Sequence, residues 1–349
     1  MADLVNVPTP DLYQQVRSVL TRARSRAWQS VNAVMVACYW EIGRLIVEEE
    51  QKGGMRADYG KRIIPDLSQR LTAEFGSGFD RSNLWNMRAF FQNYPILDAV
   101  RRELAWTHYR LLLRVDKPEA RAFYEAEAVN ARWSTRELER QIHSLLFERL
   151  ALSRDKEGVV ALAQKGHEIQ EPADLVKDPY VLEFAGLRQD ERFLEKDLER
   201  ALIGKLQQFL LELGRGFAFM ARQQRITLDG RHFFVDLVFY NRLTRSFVLI
   251  DLKVGDLTHQ DLGQMQMYVN YYQRELTAAE ENPPVGIILC ADKSEAVVRY
   301  TLPEGNQQIF ASRYKLYLPS EEELAAEIQR ERKMIELQQR LASQDDGEG

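Results

Sequence analysis

Residues 231–272, RHFFVDLVFYNRLTRSFVLIDLKVGDLTHQDLGQMQMYVNYY, read as two apolar strands followed by a helix. Phe233 to Tyr240 is β-branched or aromatic apart from Leu237 and one acid, Asp236, and Phe247 to Ile250 runs directly into Asp251-Leu252-Lys253. Strand side chains alternate faces, so Asp251 and Lys253 share one face and Leu252 takes the other. The break at 241–245 is short enough for a hairpin, which makes the two strands antiparallel neighbours and brings Asp236 beside Asp251. A lone carboxylate inside an apolar run is costly unless it is paired or binds a cation. Two carboxylates and an ammonium at one strand end are residue types that hold a divalent metal.

Working outward, Asp229-Gly230 is a strong hairpin-turn signal, and Phe217 to Leu228 before it reads as a further strand. A long helix is expected from Arg192 to Leu213, with Leu194, Leu198, Leu202, Leu206, Phe209 and Leu213 on one stripe and Glu195 and Glu199 one turn apart. After the 231–272 stretch, Val285 to Cys290 is a continuous apolar run suited to a buried parallel strand, and Lys315 to Leu318 is read as the last strand. The order is α-β-β-β-α-β. Residues 320–349 read as a charged helix with Leu324, Ile328, Ile335 and Leu341, then an acidic tail; this helix is a candidate homodimer contact.

The first 150 residues look all-α. Helical periodicity covers 11–52, where Arg17, Arg22, Arg24 and Arg26 cluster, and after Gly53-Gly54 a second helix runs from Lys61 to Phe75. Gly76-Ser77-Gly78-Phe79 is a turn of helix-turn-helix length, and a third helix starts with Asp80 or Ser82 as its cap. Within this helix-turn-helix-like element at 61–92, Leu84, Met87 and Phe91 face the core. Arg81, Asn83, Asn86 and Arg88 are expected to face outward as nucleic-acid contacts, although two packed helices with solvated polar faces would read the same way. Ser134 and Glu137 form a capping-box pattern at a later helix. Domains are expected at 1–150, with a linker at 151–179 and a second domain at 180–319.

At 349 residues the chain is long enough for two cores, and its 28% charged and 45% hydrophobic content is that of an ordinary globular protein. No apolar run is read as a membrane span and the N-terminus lacks a signal-peptide pattern, so a cytoplasmic protein with no membrane partner is expected. Cys38 and Cys290, the two cysteines, lie in apolar runs and are read as core residues. The net charge of −5 is unevenly placed: residues 1–150 hold 22 Lys and Arg against 19 Asp and Glu, and the remainder 25 against 33. The overall charge taken alone argues against a nucleic-acid partner, and this modest asymmetry permits one on the N-terminal half without demanding it.

The element order, Asp236, Asp251-Leu252-Lys253, and Gln264 with Tyr268 on the next helix together resemble the PD-(D/E)XK nuclease superfamily. More closely, LLELGRGFAFMARQQRI, FFVDLVFYNR, IDLKVGD and GQMQMYV, with YGKRIIPDLSQRL and FDRSNLWNMRAFF nearer the N-terminus, are similar to the YhcG-like bacterial nuclease family. The resemblance implies a two-domain chain: an all-α N-terminal domain, then an α/β nuclease domain with a mixed sheet. It implies phosphodiester hydrolysis with Mg²⁺, or Mn²⁺ in its place, held by Asp236, Asp251 and the Leu252 carbonyl. Lys253 would serve the chemical step, Glu199 or Glu195 would complete the site, and Gln264 would bond near Lys253 or the phosphate, braced by Tyr268. The motif's Pro is Val235 here, which leaves the carboxylate in place. The implied partner is DNA, duplex or branched. RNA processing and DNA binding by a degenerate nuclease fold are the alternatives; an intact Asp236, Asp251 and Lys253 favours an enzyme over the degenerate scaffold.

Overall fold

A computed structural model describes residues 12–52, 57–151, 156–188, 192–320, 322–324 and 326. The chain divides into two units: residues 1–121 with 128–138, and residues 122–127 with 139–349.

The first unit is helical. Its long helix α1 spans Leu12–Lys52, α2 spans Ala57–Phe75, α3 Arg81–Asn93 and α4 Trp106–Leu112. The break at Gly53-Gly54 lies outside the described residues. Asp80, not Ser82, caps α3: its carboxylate accepts the Asn83 backbone N–H at 3.0 Å. Ile46, Ile64, Leu84 and Met87 form the centre of this core, with Tyr39 and Trp106 packed against it. Gly43 lets α1 and α3 meet backbone to backbone, since a Cβ there would lie 2.0 Å from the Met87 carbonyl oxygen. Ser30–Lys52 is in fact long and apolar enough to cross a membrane by length and composition. That segment also pairs Arg44 with Glu41 and Glu48 and buries Ile46 and Val47. Cys38 is exposed, so it is not the core residue expected, whereas Cys290 is buried.

Two helices straddle the division, α5 (Pro118–Asn130) and α6 (Thr135–His143). The capping box at the start of α6 is present: Ser134 N donates to Glu137 at 2.7 Å and Glu137 N to the Ser134 hydroxyl at 3.3 Å.

The second unit holds a six-stranded mixed sheet in the order β1-β6-β5-β4-β3-β2. The strands are β1 (Tyr180–Val181), β2 (Phe217–Leu228), β3 (Arg231–Asn241), β4 (Ser246–Leu252), β5 (Val285–Cys290) and β6 (Ile309–Lys315). β2, β3 and β4 are antiparallel hairpins, and β4, β5, β6 and β1 run parallel. Asp229 and Gly230, at φ 47° and 76°, make the tight turn between β2 and β3. The last strand begins six residues earlier than the sequence reading placed it and ends at Lys315. Ser312 disguises it: a polar residue in mid-strand, fully buried because its hydroxyl donates to the Lys177 carbonyl.

One face of the sheet is covered by α9 (Glu195–Gly204) and α10 (Leu206–Leu213), whose Leu198, Leu202, Phe209 and Leu213 pack on Leu237, Phe239, Ile250 and Ile287. These are two helices rather than the single long one expected. Gly204 weakens the helix and Lys205 takes a non-helical φ −123°, ψ 32°, so the axis can change. The other face carries α11 (His259–Glu275) and α12 (Glu295–Thr301), with Met265, Tyr268 and Val269 against Val238, Leu249 and Ile288.

Residues 139–179 are also built into this unit, through α7 (Leu146–Ala151), α8 (Lys156–Lys165) and the short turn 172–175. The segment 151–179 therefore carries its own helix and buried side chains, Leu175 and Lys177 among them, where a linker was expected. Its charges find partners: Asp178 accepts the Arg313 backbone N–H at 3.1 Å and pairs with Lys293 Nζ at 2.6 Å. Mixed charge in the sequence hid this packing. In the C-terminal segment Leu324 is buried, not part of a wholly solvated helix, while Ile328, Ile335 and Leu341 lie outside the described residues.

Candidate active site

Asp236 and Asp251 sit on neighbouring antiparallel strands. The register pair Leu237↔Ile250 puts them opposite one another on the face that carries α11. Asp251 is 2% exposed, whereas Asp236 is only half-buried and accepts the Leu252 backbone N–H at 2.7 Å. Lys253 follows β4 and turns its ammonium back to Asp251 Oδ2 at 2.9 Å, with Glu195 and Asp261 each at 3.8 Å. Asp251 Oδ2 is thus a buried oxygen with the Lys253 ammonium beside it.

The electrostatics follow from that packing. Burial, then the neighbouring Asp236 charge, pushes the Asp251 carboxyl up to about 7 despite Lys253. Burial works against the Lys253 ammonium, but Asp251, Glu195 and Asp261 outweigh it and hold its pKa above the usual lysine range. Carboxylates thus outnumber the one ammonium.

The two glutamates on α9 take different partners. Glu199, 8% exposed, accepts the Gln223 side-chain amide at 2.7 Å, and the same nitrogen donates to Asp236 Oδ1 at 2.8 Å. Glu195 instead faces Lys253. On α11, Gln264 donates to the Tyr268 hydroxyl, which in turn donates to the Phe234 carbonyl at 2.8 Å. The brace by Tyr268 is as expected; the direct bond from Gln264 to Lys253 is not formed.

Gln223 joins the site although, as a polar residue on an outer strand, it reads in the sequence equally well as solvent-facing. A signal for it existed. A two-residue turn at 229–230 fixes the register of β2 on β3, and the pairs Arg222↔Leu237 and Gln224↔Val235 place Gln223 across from Asp236. Asp261 was also passed over: it caps α11 through Thr258, 2.9 Å from the Thr258 N–H, while facing Lys253.

Among the described residues no three Asp, Glu, His or Cys side chains form a ready-made metal cage. The donor set nonetheless fits a hard divalent cation. It consists of carboxylate oxygens, those of Asp251 buried, with the Leu252 peptide next to Asp236 and a surplus of negative charge.

The outward face proposed for α3 is smaller than expected. Asn83 is buried at 9% exposure: its amide donates to the Gly78 carbonyl and its Oδ1 accepts Trp106 Nε1 at 2.9 Å. It closes the inter-helix turn and is not a base-reading residue. Arg88 is held by Glu50 at 2.7 Å and lies over the Trp85 ring, so it is committed within its own unit. Asn86 is half-buried, and Arg81 remains exposed beside Trp85, which is 50% exposed. A pattern of polar residues on a helix cannot separate a turn-sealing Asn from a solvated one, because both break the apolar stripe. Arg17, Arg22, Arg24 and Arg26 on α1 are all exposed.

Comparison with known proteins places these observations in context. Residues 173–330 match the family model of the YhcG PDDEXK nuclease domain, and residues 15–149 match that of the DUF1016 N-terminal domain. The chain is 38% identical over 360 residues, covering 93% of it and 96% of the relative, to "Putative nuclease YhcG" of Escherichia coli (strain K12). Among solved structures, a repair endonuclease from Pyrococcus abyssi matches at 23% identity over 37% of this chain and 50% of that one, with a TM-score of 0.25. An EndoMS-dsDNA2 complex matches at 16% identity over 38% of this chain and 50% of that one, with a TM-score of 0.26.

Proposed function

The chain belongs to the YhcG family, whose C-terminal part is a PDDEXK nuclease domain, and on that premise we propose that it is a metal-dependent nuclease acting on DNA. The observation that carries this reading is the pairing of Asp236 with the buried Asp251 across two strands, with Lys253 at the same strand end. A site kept only as scaffold has no use for a buried carboxylate set opposite a second carboxylate.

Asp236, Asp251 and the Leu252 carbonyl would hold Mg²⁺, with Mn²⁺ as the alternative, and Glu199, which shares the Gln223 amide with Asp236, would join them. A bound divalent ion supplies charge neutralisation on the phosphate and lowers the pKa of its water. Lys253 keeps a positive charge at the reacting phosphate, steadied by Asp251, Glu195 and Asp261. Gln264, fixed by Tyr268, presents a carboxamide on the same face.

The test is incubation of the purified protein with duplex, branched and single-stranded DNA and with RNA, in Mg²⁺, in Mn²⁺ and in chelator. Cleavage of DNA that chelator abolishes is the expected result; cleavage of RNA alone moves the substrate, and cleavage in chelator removes the metal. Calorimetry supplies a second check: Asp236→Asn and Asp251→Asn should each weaken Mg²⁺ binding, and Mg²⁺ should raise the melting temperature of the wild type because the ion binds the folded state.

Binding of nucleic acid is assigned to the helical unit, where Arg81 on α3 and the four arginines of α1 are exposed. Between Leu12 and Trp40 the helix has four arginines and no acid. Replacing Arg17, Arg22, Arg24 and Arg26 by Ala should lower DNA affinity and flatten the slope of log K on log salt by roughly one unit for each phosphate no longer neutralised. Arg88→Ala should change that slope little, since Glu50 already neutralises it. Titrations at several salt concentrations with unchanged affinity and slope in the fourfold variant would place the DNA-binding surface elsewhere.

A further inference from the structure

Two independent observations single out Gln223. Its side-chain nitrogen donates at once to Glu199 Oε2 at 2.7 Å and Asp236 Oδ1 at 2.8 Å. Its backbone φ is 47°, a left-handed value that side chains other than glycine adopt with strain. Among the described non-glycine residues with positive φ, Arg132, Leu145, Asp229 and Arg245 lie in turns, and Gln223 alone lies within a strand. Strain held at one place in a regular element marks a position where the side chain's aim matters more than the backbone's comfort.

An amide NH₂ carries partial positive charge and has two protons to give, one for each carboxylate. It therefore does, as a neutral group, part of what a cation would do between the same two oxygens. Resting on the reading that this site takes a divalent ion, we propose that Gln223 is a specificity-determining residue of the metal site: its amide stands between Glu199 and Asp236 in place of a cation and competes with ion uptake. An ion held by both carboxylates would need the space the nitrogen occupies, so the carboxamide would have to give way. Gln223 is exposed and can turn outward when displaced. The competition also selects by charge. A divalent ion gains about twice the Coulomb attraction of a monovalent ion at equal distance, so the amide that a divalent ion displaces holds against Na⁺ or K⁺.

The test is isothermal titration of the full chain with MgCl₂ and with MnCl₂, without nucleic acid, for the wild type, Gln223→Ala and Gln223→Met. Methionine keeps the side-chain volume and removes the donor. Both variants should bind the ion about tenfold more tightly, the scale of a missing charge-assisted hydrogen-bond pair at a solvated site. Their metal-free melting temperatures should fall and their gain on saturation with Mg²⁺ should exceed that of the wild type. Should either variant fold poorly, the wild type alone decides by NMR: the side-chain NH₂ resonances of Gln223 are expected to shift on addition of Mg²⁺. Variants that bind no more tightly than a wild type that does bind, or NH₂ resonances unmoved at saturation, overturn this inference and leave the metal site standing. A wild type that binds neither ion overturns both.

Discussion

Lys253→Ala is expected to lose about a hundredfold or more in cleavage rate while the second unit stays folded. Lys253 is the single cation among Asp251, Glu195 and Asp261, and its side chain is 17% exposed, within reach of an incoming phosphate. Its charge is secure: burial opposes the ammonium, and the three acids more than offset this, so it stays protonated throughout the neutral range. Lys253→Arg tests what the ammonium does. Arg keeps the charge but has a longer, planar head that cannot occupy the position 2.9 Å from Asp251 Oδ2 in the same way, so only partial activity should return. Single-turnover cleavage at saturating DNA separates the chemical step from binding; a Lys253→Ala protein that cuts at the wild-type rate would remove Lys253 from the chemistry.

Arg149→Met is expected to cost about 3–5 kcal/mol of stability, read from denaturant unfolding, because it strands a buried carboxylate. Glu212 is fully buried; Arg149 reaches one oxygen at 2.6 Å and Arg140 the other at 3.0 Å. The Val181 backbone N–H adds a third bond at 3.0 Å, and Lys177 donates to the Glu212 carbonyl. Burial alone would raise the Glu212 carboxyl, but Arg149, Lys177 and Arg140 overcome it and hold it at about 2, below its ordinary 4.5. A folded pKa below the unfolded one gives stability that is present above pH 4.5 and lost as pH falls towards 2. Acid unfolding should therefore begin in that window in the wild type, and Arg149→Met should shift its onset to higher pH. Pairing Arg149→Met with Glu212→Gln should recover part of the loss, since the stranded charge is then gone. If Arg149→Met unfolds at the wild-type denaturant concentration, the network contributes little.

The same network explains why the chain is not cut cleanly where its families meet. Arg140 and Arg149 fall within the stretch matched by the N-terminal family model, yet they pair with Glu212 and Glu183 inside the nuclease unit. Charged residues on short helices read as solvent-facing in a sequence, because a buried ion pair joins residues 63 positions apart and leaves no local pattern.

Whatever depends on short-range rules is legible in the order of the residues. The tight turn at Asp229-Gly230 and the short break at 241–245 give three antiparallel strands, and period-two alternation then places Asp236, Asp251 and Lys253 on one face. The continuous apolar run at 285–290 gives the parallel strand, and the Ser134 and Glu137 pattern gives a helix start. Packing of Leu198 and Leu202 against the sheet sets the direction of α9, which gives Glu199 the Gln223 amide that Asp236 also accepts and leaves Glu195 beside Lys253. The tertiary structure also turned Asn83 inward to Trp106, gave Arg88 to Glu50 and placed the Gln223 amide between two carboxylates. Each of these is an interaction made by the end of a polar side chain across elements. Backbone pattern fixes where such a side chain starts, and the packing of the neighbouring element fixes where it ends.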